Sequence, residues 1–390
     1  MTSSFRRTCG VIIANFLVLF QLPGAETPAA TTPPLDSPAA IRGLMQRVAD
    51  WQLTSPSASS NRYTEDAWTW GAFYTGVMAL SRISEDAKYH DAMRSMGKRF
   101  GWQPAKRIYH ADDHCVTQTY LELYLKHRDP AMLAPTRERF DYILANTRTN
   151  ELNFRSKGAL DRWSWCDSLF MSPPALVRLF VSTGNKRYLD FMSREWWITT
   201  DFLYDKEEQL YFRDSTFFDK LEANGKKIFW SRGNGWVLAG LARVLEYLPK
   251  DQPDHARFEK LFRAMAAKIL ACQQSDGLWR ASLLDPDSYP LKETSGSGFF
   301  IYAFAWGVNS GRLDRAEFEP AIRRGWTALA ACVNPDGKLT HVQPVGADPK
   351  NFPADSSDVY GVGAFLLAGS ELYRLPTTNA PMQSIPSSTR

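Results

Sequence analysis

Apolar residues gather in six long runs with helical spacing: Phe73 to Ile83, Val116 to Lys126, Pro173 to Ser182, Gly235 to Leu248, Phe299 to Val308 and Tyr360 to Tyr373. Strand-like alternation of β-branched residues is scarce. Most of the runs are followed by a short polar turn, such as SEDAKY, HRDPAM or TGNKRY, and then by a second, more amphipathic helical stretch. The later units recur at about sixty residues, the size of a helical hairpin with a long return loop, whereas tetratricopeptide repeats need about 34. The pattern predicts an all-α fold, an (α/α)6 toroid in which six inner helices are wrapped by six outer ones. Inner helices of a closed ring point the same way, so the segments preceding them gather at one mouth.

Those segments are Asp66 to Trp70, His110 to His114, Trp163 to Asp167, Phe229 to Asn234, Lys292 to Ser297 and Asp355 to Asp358. Each carries Trp, Asp, Arg, His, Ser or Thr. Aromatic platforms beside carboxylates and hydroxyl partners suit a carbohydrate, whose rings present C–H faces to stack on and hydroxyl edges to bind.

The stretch RWSWCDSLFMSPPALVRLF, from Arg162 to Phe180, sets Asp167 among tryptophans just before the helix opened by Ser172-Pro173-Pro174. Apolar walls raise a carboxyl pKa and a helix N-terminus lowers it, so Asp167 reads either as a general acid or as a helix cap. Asp113 is its expected partner in a carboxyl pair, with Asp112, next door and pointing elsewhere, a candidate for substrate contact. Arg232 offers a guanidinium fork to a substrate carboxylate or to one of the two aspartates. Trp68, Trp70, Trp165, Trp230 and Trp236 are candidate stacking platforms, of which about two belong to the core. His110 and His114 read as structural histidines, with His114 also a candidate for substrate contact. Thr294 and Ser295 suit either a ligand or a helix cap.

Composition narrows the rest. Of 390 residues, 44% are apolar and 13% aromatic, ample for a large core. Arg6 and Arg7 precede an apolar run from Val11 to Leu22 and then Pro23-Gly24-Ala25, the layout of a signal peptide over residues 1–25 and too short for a membrane-spanning helix. A Pro/Thr/Ala-rich lead-in, 26–38, is expected to precede a catalytic domain at 39–376, with a disordered tail at 377–390. Without the first 25 residues the net charge falls from +4 to +2, 44 basic against 42 acidic residues, so nothing points to nucleic acid or a membrane surface. Cys115, Cys166, Cys272 and Cys332 form no zinc-type cluster and read as buried free thiols. No nucleotide, dinucleotide or EF-hand motif is present, and no cofactor or metal is expected.

The segments SWCDSLFMSPPALVRLFVSTGNKRYLDFM, FWSRGNGWVLAGLARVLEYLP and KETSGSGFFIYAFAWGVNSGRLD, with YHADDHCVTQTYLELY and YGVGAFLLAGSELY, closely resemble the unsaturated rhamnogalacturonyl hydrolases, glycoside hydrolase family 105. The likeness runs from about Trp68 to Tyr373, with the motifs in family order. It implies the (α/α)6 fold and an exported enzyme that removes the terminal unsaturated uronic acid left by polysaccharide lyases. In that chemistry an aspartic acid protonates the C4=C5 double bond, water adds at C5, and the hemiketal opens. The resemblance places the proton donor on Asp167, the second aspartate on Asp113, and the uronate subsite on Trp230, Arg232 and Trp236. Around Tyr211 to Ser215 the chain departs from pectin-acting members, which tend to carry a substrate-contacting histidine; Arg213 stands there instead. That departure leaves both Δ4,5-galacturonate and Δ4,5-glucuronate open. The residues by themselves also admit a conventional inverting glycosidase or a non-catalytic carbohydrate-binding protein.

Overall fold

The computed structural model describes residues 1–2, 35–55 and 63–375. The expected signal peptide and C-terminal tail lie outside them, apart from Met1 and Thr2. Residues Pro34–Arg390 form one compact unit, and Met1–Pro33 a separate one.

Six inner helices, α2 (Trp68–Ser81), α4 (Thr117–His127), α7 (Pro173–Thr183), α9 (Ser231–Leu245), α11 (Thr294–Asn309) and α13 (Val359–Arg374), each pack on the next, and α13 returns to α2 to close the ring. Outside them lie α1 (Pro38–Thr54), α3 (Lys88–Arg99), α5 (Ala134–Ala145), α8 (Arg187–Leu203), α10 (His255–Ala271) and α12 (Arg315–Ala330). This is the (α/α)6 ring expected from the apolar runs. The short α6 (Ser168–Met171) leads into α7, and a two-stranded hairpin, β1 (Tyr204–Asp205) with β2 (Leu210–Tyr211), follows α8. Inner helices are apolar nearly all round: every residue of α11 from Thr294 to Val308 is buried. Ring closure demands close backbone approach. A Cβ on Gly363 would lie 2.5 Å from the Ala72 carbonyl oxygen of α2, and one on Gly76 2.6 Å from the Gly363 carbonyl oxygen, so only glycine fits that crossing.

The chain is already anchored inside the expected lead-in. Ser37 caps α1, Asp36 pairs with Arg323 at 2.9 Å, and the Leu35 carbonyl accepts from Trp326 Nε1.

Three inner helices begin earlier than their apolar runs suggest: α2 at Trp68, α9 at Ser231 and α11 at Thr294. Residues expected just ahead of those helices therefore occupy first turns, where helical geometry fixes which side chains turn inward. Glu293 explains one case. Its carboxylate accepts from the Ser295 and Gly296 amides at 3.0 and 2.6 Å, extending α11 back through a Gly/Ser stretch of low helix propensity.

Opposite the helix N-termini, the ring is closed by a charged floor. Glu122 on α4 receives Arg82 at 2.9 Å, Arg178 of α7 at 3.0 Å and Arg243 of α9 at 2.7 Å. The Glu122 side chain is 2% exposed. Burial pushes its carboxyl up, but the three guanidiniums outweigh that and hold it at about 2.

Candidate active site

A cavity of about 200 Å³ opens at the end of the ring where the inner helices start. It is lined by Tyr63, Trp68, Asp112, Trp165, Asp167, Met171, Arg213, Trp230, Val345 and Gly346. That is below the about 300–1,000 Å³ of pockets for drug-sized ligands, and suits one sugar ring.

Asp167 occupies the cap position of α6, yet its side chain makes no cap hydrogen bond. The cap reading is thereby set aside. The segment is held by its backbone instead: Cys166 N donates to the Arg213 carbonyl at 2.8 Å, and Trp165 bridges to Asp214. This leaves Asp167, a residue 8% exposed, with its carboxyl beside the cavity and Cys166 Sγ at 3.6 Å. Burial raises its pKa, against the pull of Arg213 and Arg232.

The second carboxyl of the cavity is Asp112, and the expectation that Asp113 fills this role is corrected. A 3-10 turn spans Ala111–His114, with His110 Nδ1 accepting from the Asp112 amide, and adjacent residues on it point apart. Asp113 turns back onto its own loop. Its Oδ2 accepts the Arg107 backbone N–H at 2.6 Å and its Oδ1 accepts Arg107 Nε and Nη2 at 2.9 and 2.5 Å. Asp112 lies 3.8 Å from Arg107 Nη2 and is pushed up to about 7, chiefly by burial and further by Asp167 and Asp113, with Arg107 and Arg213 opposing.

The cavity guanidinium is Arg213, not Arg232. Arg213 stacks on Phe154, its Nη1 donates to Asp214 at 2.6 Å, and its Nε stands 3.6 Å from Asp167 Oδ2. Nε and Nη2 have no hydrogen-bond partner among the described residues. Asp214 thus fixes one side of the fork and turns the Nε edge toward Asp167. Arg232, buried in the first turn of α9, lies between the rings of Trp230 and Tyr360 and donates to the carbonyls of Gln343 and Pro344 at 2.5 and 2.9 Å. Trp230 Nε1 donates to Gln343 Oε1 at 2.9 Å. Together they pin the loop that brings Val345 and Gly346 to the cavity wall.

Of the five tryptophans, Trp68, Trp165 and Trp230 line the cavity. Trp70 packs on Phe73 and Tyr74, and Trp236 packs among Trp68, Phe170 and Phe299. Thr294 and Ser295 also stay off it: Thr294 Oγ1 donates to the Thr340 carbonyl and Ser295 Oγ to Glu293. His114 sits behind the site, bonded to Ser172 Oγ and the Ile108 carbonyl, each at 2.9 Å, and burial lowers it to about 4. His110, lowered to about 3 by burial and by Arg107, packs its ring against Trp165. Tyr63, Met171, Val345 and Gly346 are lining residues that the mouth-segment reasoning missed. Only the length of the connection between α12 and α13 hinted at the last two.

The four cysteines among the described residues are free; Cys115, Cys166 and Cys332 are buried and Cys272 half-buried. Among the described residues no group of three or more His, Cys, Asp or Glu could hold a metal, and no helix is long and apolar enough to cross a membrane.

Residues 44–376 match the model of Glycosyl Hydrolase Family 88. An unsaturated 3S-rhamnoglycuronyl hydrolase of Formosa agariphila is 40% identical over 345 residues, covering 86% of this chain and 91% of that protein. The solved structure of a family 88 glycosyl hydrolase from Bacteroides vulgatus has a TM-score of 0.78 at 30% identity, over 87% of this chain and 100% of that one. A possible family 105 member from Salmonella enterica subsp. enterica serovar Paratyphi A has a TM-score of 0.72 at 18% identity, over 91% and 99%, a likeness that speaks for the fold alone. With the family model spanning most of its length and this level of identity, the chain belongs to Glycosyl Hydrolase Family 88 and is a glycoside hydrolase.

Proposed function

We propose that the enzyme removes the terminal Δ4,5-unsaturated uronic acid from oligosaccharides left by a polysaccharide lyase. One observation carries the reading: two carboxyls with raised pKa values, Asp167 and Asp112, share a one-ring cavity with the guanidinium of Arg213. The uronate carboxylate pairs with the Arg213 guanidinium, and the ring lies among Trp68, Trp165 and Trp230. Asp167, whose pKa burial raises, gives its proton to C4 while Asp112 holds the neighbouring charge. Water adds its oxygen at C5 and returns a proton to the carboxyl pair. The C5 hemiketal then opens, unmasking a C1 hemiacetal that collapses to an aldehyde and releases the remaining sugar as an alcohol.

The Formosa relative is named for a rhamnoglycuronyl substrate, which supports rhamnose as the sugar released. The test is loss of ultraviolet absorbance at the double bond on incubation with disaccharides from ulvan, arabinogalactan, pectin and glycosaminoglycan lyases. Decay with at least one of them, strongest where rhamnose follows the uronate, is expected. No decay across the panel, or equal turnover of the saturated counterparts, overturns the reading. We infer further that the chain is exported, on the strength of Arg6, Arg7 and the Val11 to Leu22 run. N-terminal sequencing of the mature protein, expected to start near residue 26, tests this.

A further inference from the structure

The mechanism above uses Asp112 but gives no task to the neighbouring ion pair between Arg107 and Asp113. A loop tie alone would need only the bond from the Arg107 amide to Asp113 Oδ2. Here Asp113, 5% exposed, also spends Oδ1 on Nε and Nη2 of the Arg107 guanidinium. The loop beneath is fastened as well: Ala105 N donates to the Asp113 carbonyl at 3.0 Å, and Arg139 Nη1 donates to the Ala105 carbonyl at 3.0 Å. The result is an arginine whose orientation is set by a buried carboxylate while its side chain remains 56% exposed. Its Nη1 has no partner among the described residues. A surface arginine ordinarily loses side-chain entropy when it takes up a ligand; this one has been ordered in advance.

Its position gives the ordering a use. Arg107 Nη2 is 3.8 Å from the Asp112 carboxylate that lines the cavity, yet Arg107 is not itself in the lining. With the uronate inside a cavity of one-ring size, the attached sugar has to leave through the mouth, past the groups that border the lining. We propose that Arg107 receives an anionic substituent, a sulfate ester or a carboxylate, on the sugar attached to the uronate. Asp113 is the positioning residue that aims it. This rests on the proposed function, since it takes the cavity to hold the uronate.

The experiment measures kcat/KM on three unsaturated disaccharides whose reducing-side sugar carries a sulfate ester, a carboxylate or neither. The readout is the ratio of each anionic substrate to the neutral one. Arg107→Ala is expected to lower that ratio by about tenfold to a hundredfold, the worth of a charge-assisted hydrogen bond, and the arm that falls further identifies the natural anion. Asp113→Asn should lower it by a smaller factor, through a higher KM with kcat little affected, because the guanidinium is released but retained. Turnover of the neutral disaccharide reports that each variant is folded. A ratio unchanged within about twofold in Arg107→Ala, whatever happens to the absolute rates, overturns the assignment while leaving the proposed function standing. A wild-type enzyme that turns over none of the three overturns both.

Discussion

Glu122 at the floor of the ring and Asp112 at its mouth are both largely withdrawn from water, yet one carboxyl is held at about 2 and the other is pushed up to about 7. The floor surrounds its carboxylate with Arg82, Arg178 and Arg243, all within 3.0 Å. The mouth gives its two carboxyls guanidiniums that are already engaged: Arg213, 3.6 Å from Asp167, has Nη1 on Asp214, and Arg107, 3.8 Å from Asp112, is held by Asp113. The same cost of burial is outweighed in one place and left standing in the other. A fully compensated cluster cements the ends of α2, α4, α7 and α9, whereas an uncompensated pair keeps a proton available for chemistry.

The largest effect expected from disturbing this contrast is at the mouth. Asp167→Asn should lower kcat by about 10³- to 10⁴-fold with the thermal transition retained, and a loss of less than tenfold would remove that carboxyl from the reaction. At the floor, Glu122→Gln leaves three guanidiniums facing one another. It should cost about 3–5 kcal/mol in denaturant unfolding while the rate per folded molecule stays the same. A cost under about 1 kcal/mol would mean that the cluster does not compensate its charge as described.

The signs of the pH effects are opposite. Glu122 is lower in the folded chain than its ordinary 4.5, so it adds stability above pH 4.5 that is lost as the pH falls towards 2. Asp112 is higher than its ordinary 3.8, so its burial costs nothing below pH 3.8 and an increasing amount as the pH rises through 7. Asp112→Asn should therefore match the wild type in stability near pH 4 and exceed it at pH 8 by on the order of 1–3 kcal/mol, while losing activity. The smallest effect is in the wild type itself. kcat/KM should fall above about pH 7, towards tenfold per unit, as the carboxyl pair loses its proton, and a profile flat to pH 9 would contradict a proton held there.

Much of the architecture could be read from apolar spacing, because a helix buried on all sides must be apolar on all sides. The gathering of six helix N-termini at one mouth follows from ring closure, and it points to Trp68, Asp112, Trp165, Asp167 and Trp230 from the sequence alone, whereas Arg213 lies outside those segments and stood out only where the chain departs from the family it resembles. Choosing among neighbours was a different matter. Asp112 and Asp113 are equivalent by composition and spacing, and a 3-10 turn sends one to the cavity and the other to Arg107. Arg232, embedded in a distinctive W-x-R-G-x-x-W stretch, looked the better carboxylate binder than Arg213. The first turn of α9 instead swings it onto the carbonyls of Gln343 and Pro344, more than a hundred residues away in sequence.

The amino-acid order therefore determined by itself the helical class, the number of hairpins and the end of the ring that holds the chemistry, since hydrophobic periodicity and chain direction are local properties. Only the tertiary structure decided which carboxyl faces the cavity, which guanidinium lines it and which loop supplies Val345 and Gly346. Those choices turn on hydrogen bonds and desolvation between segments far apart in the chain, and burial is a property of the folded assembly rather than of any stretch of sequence.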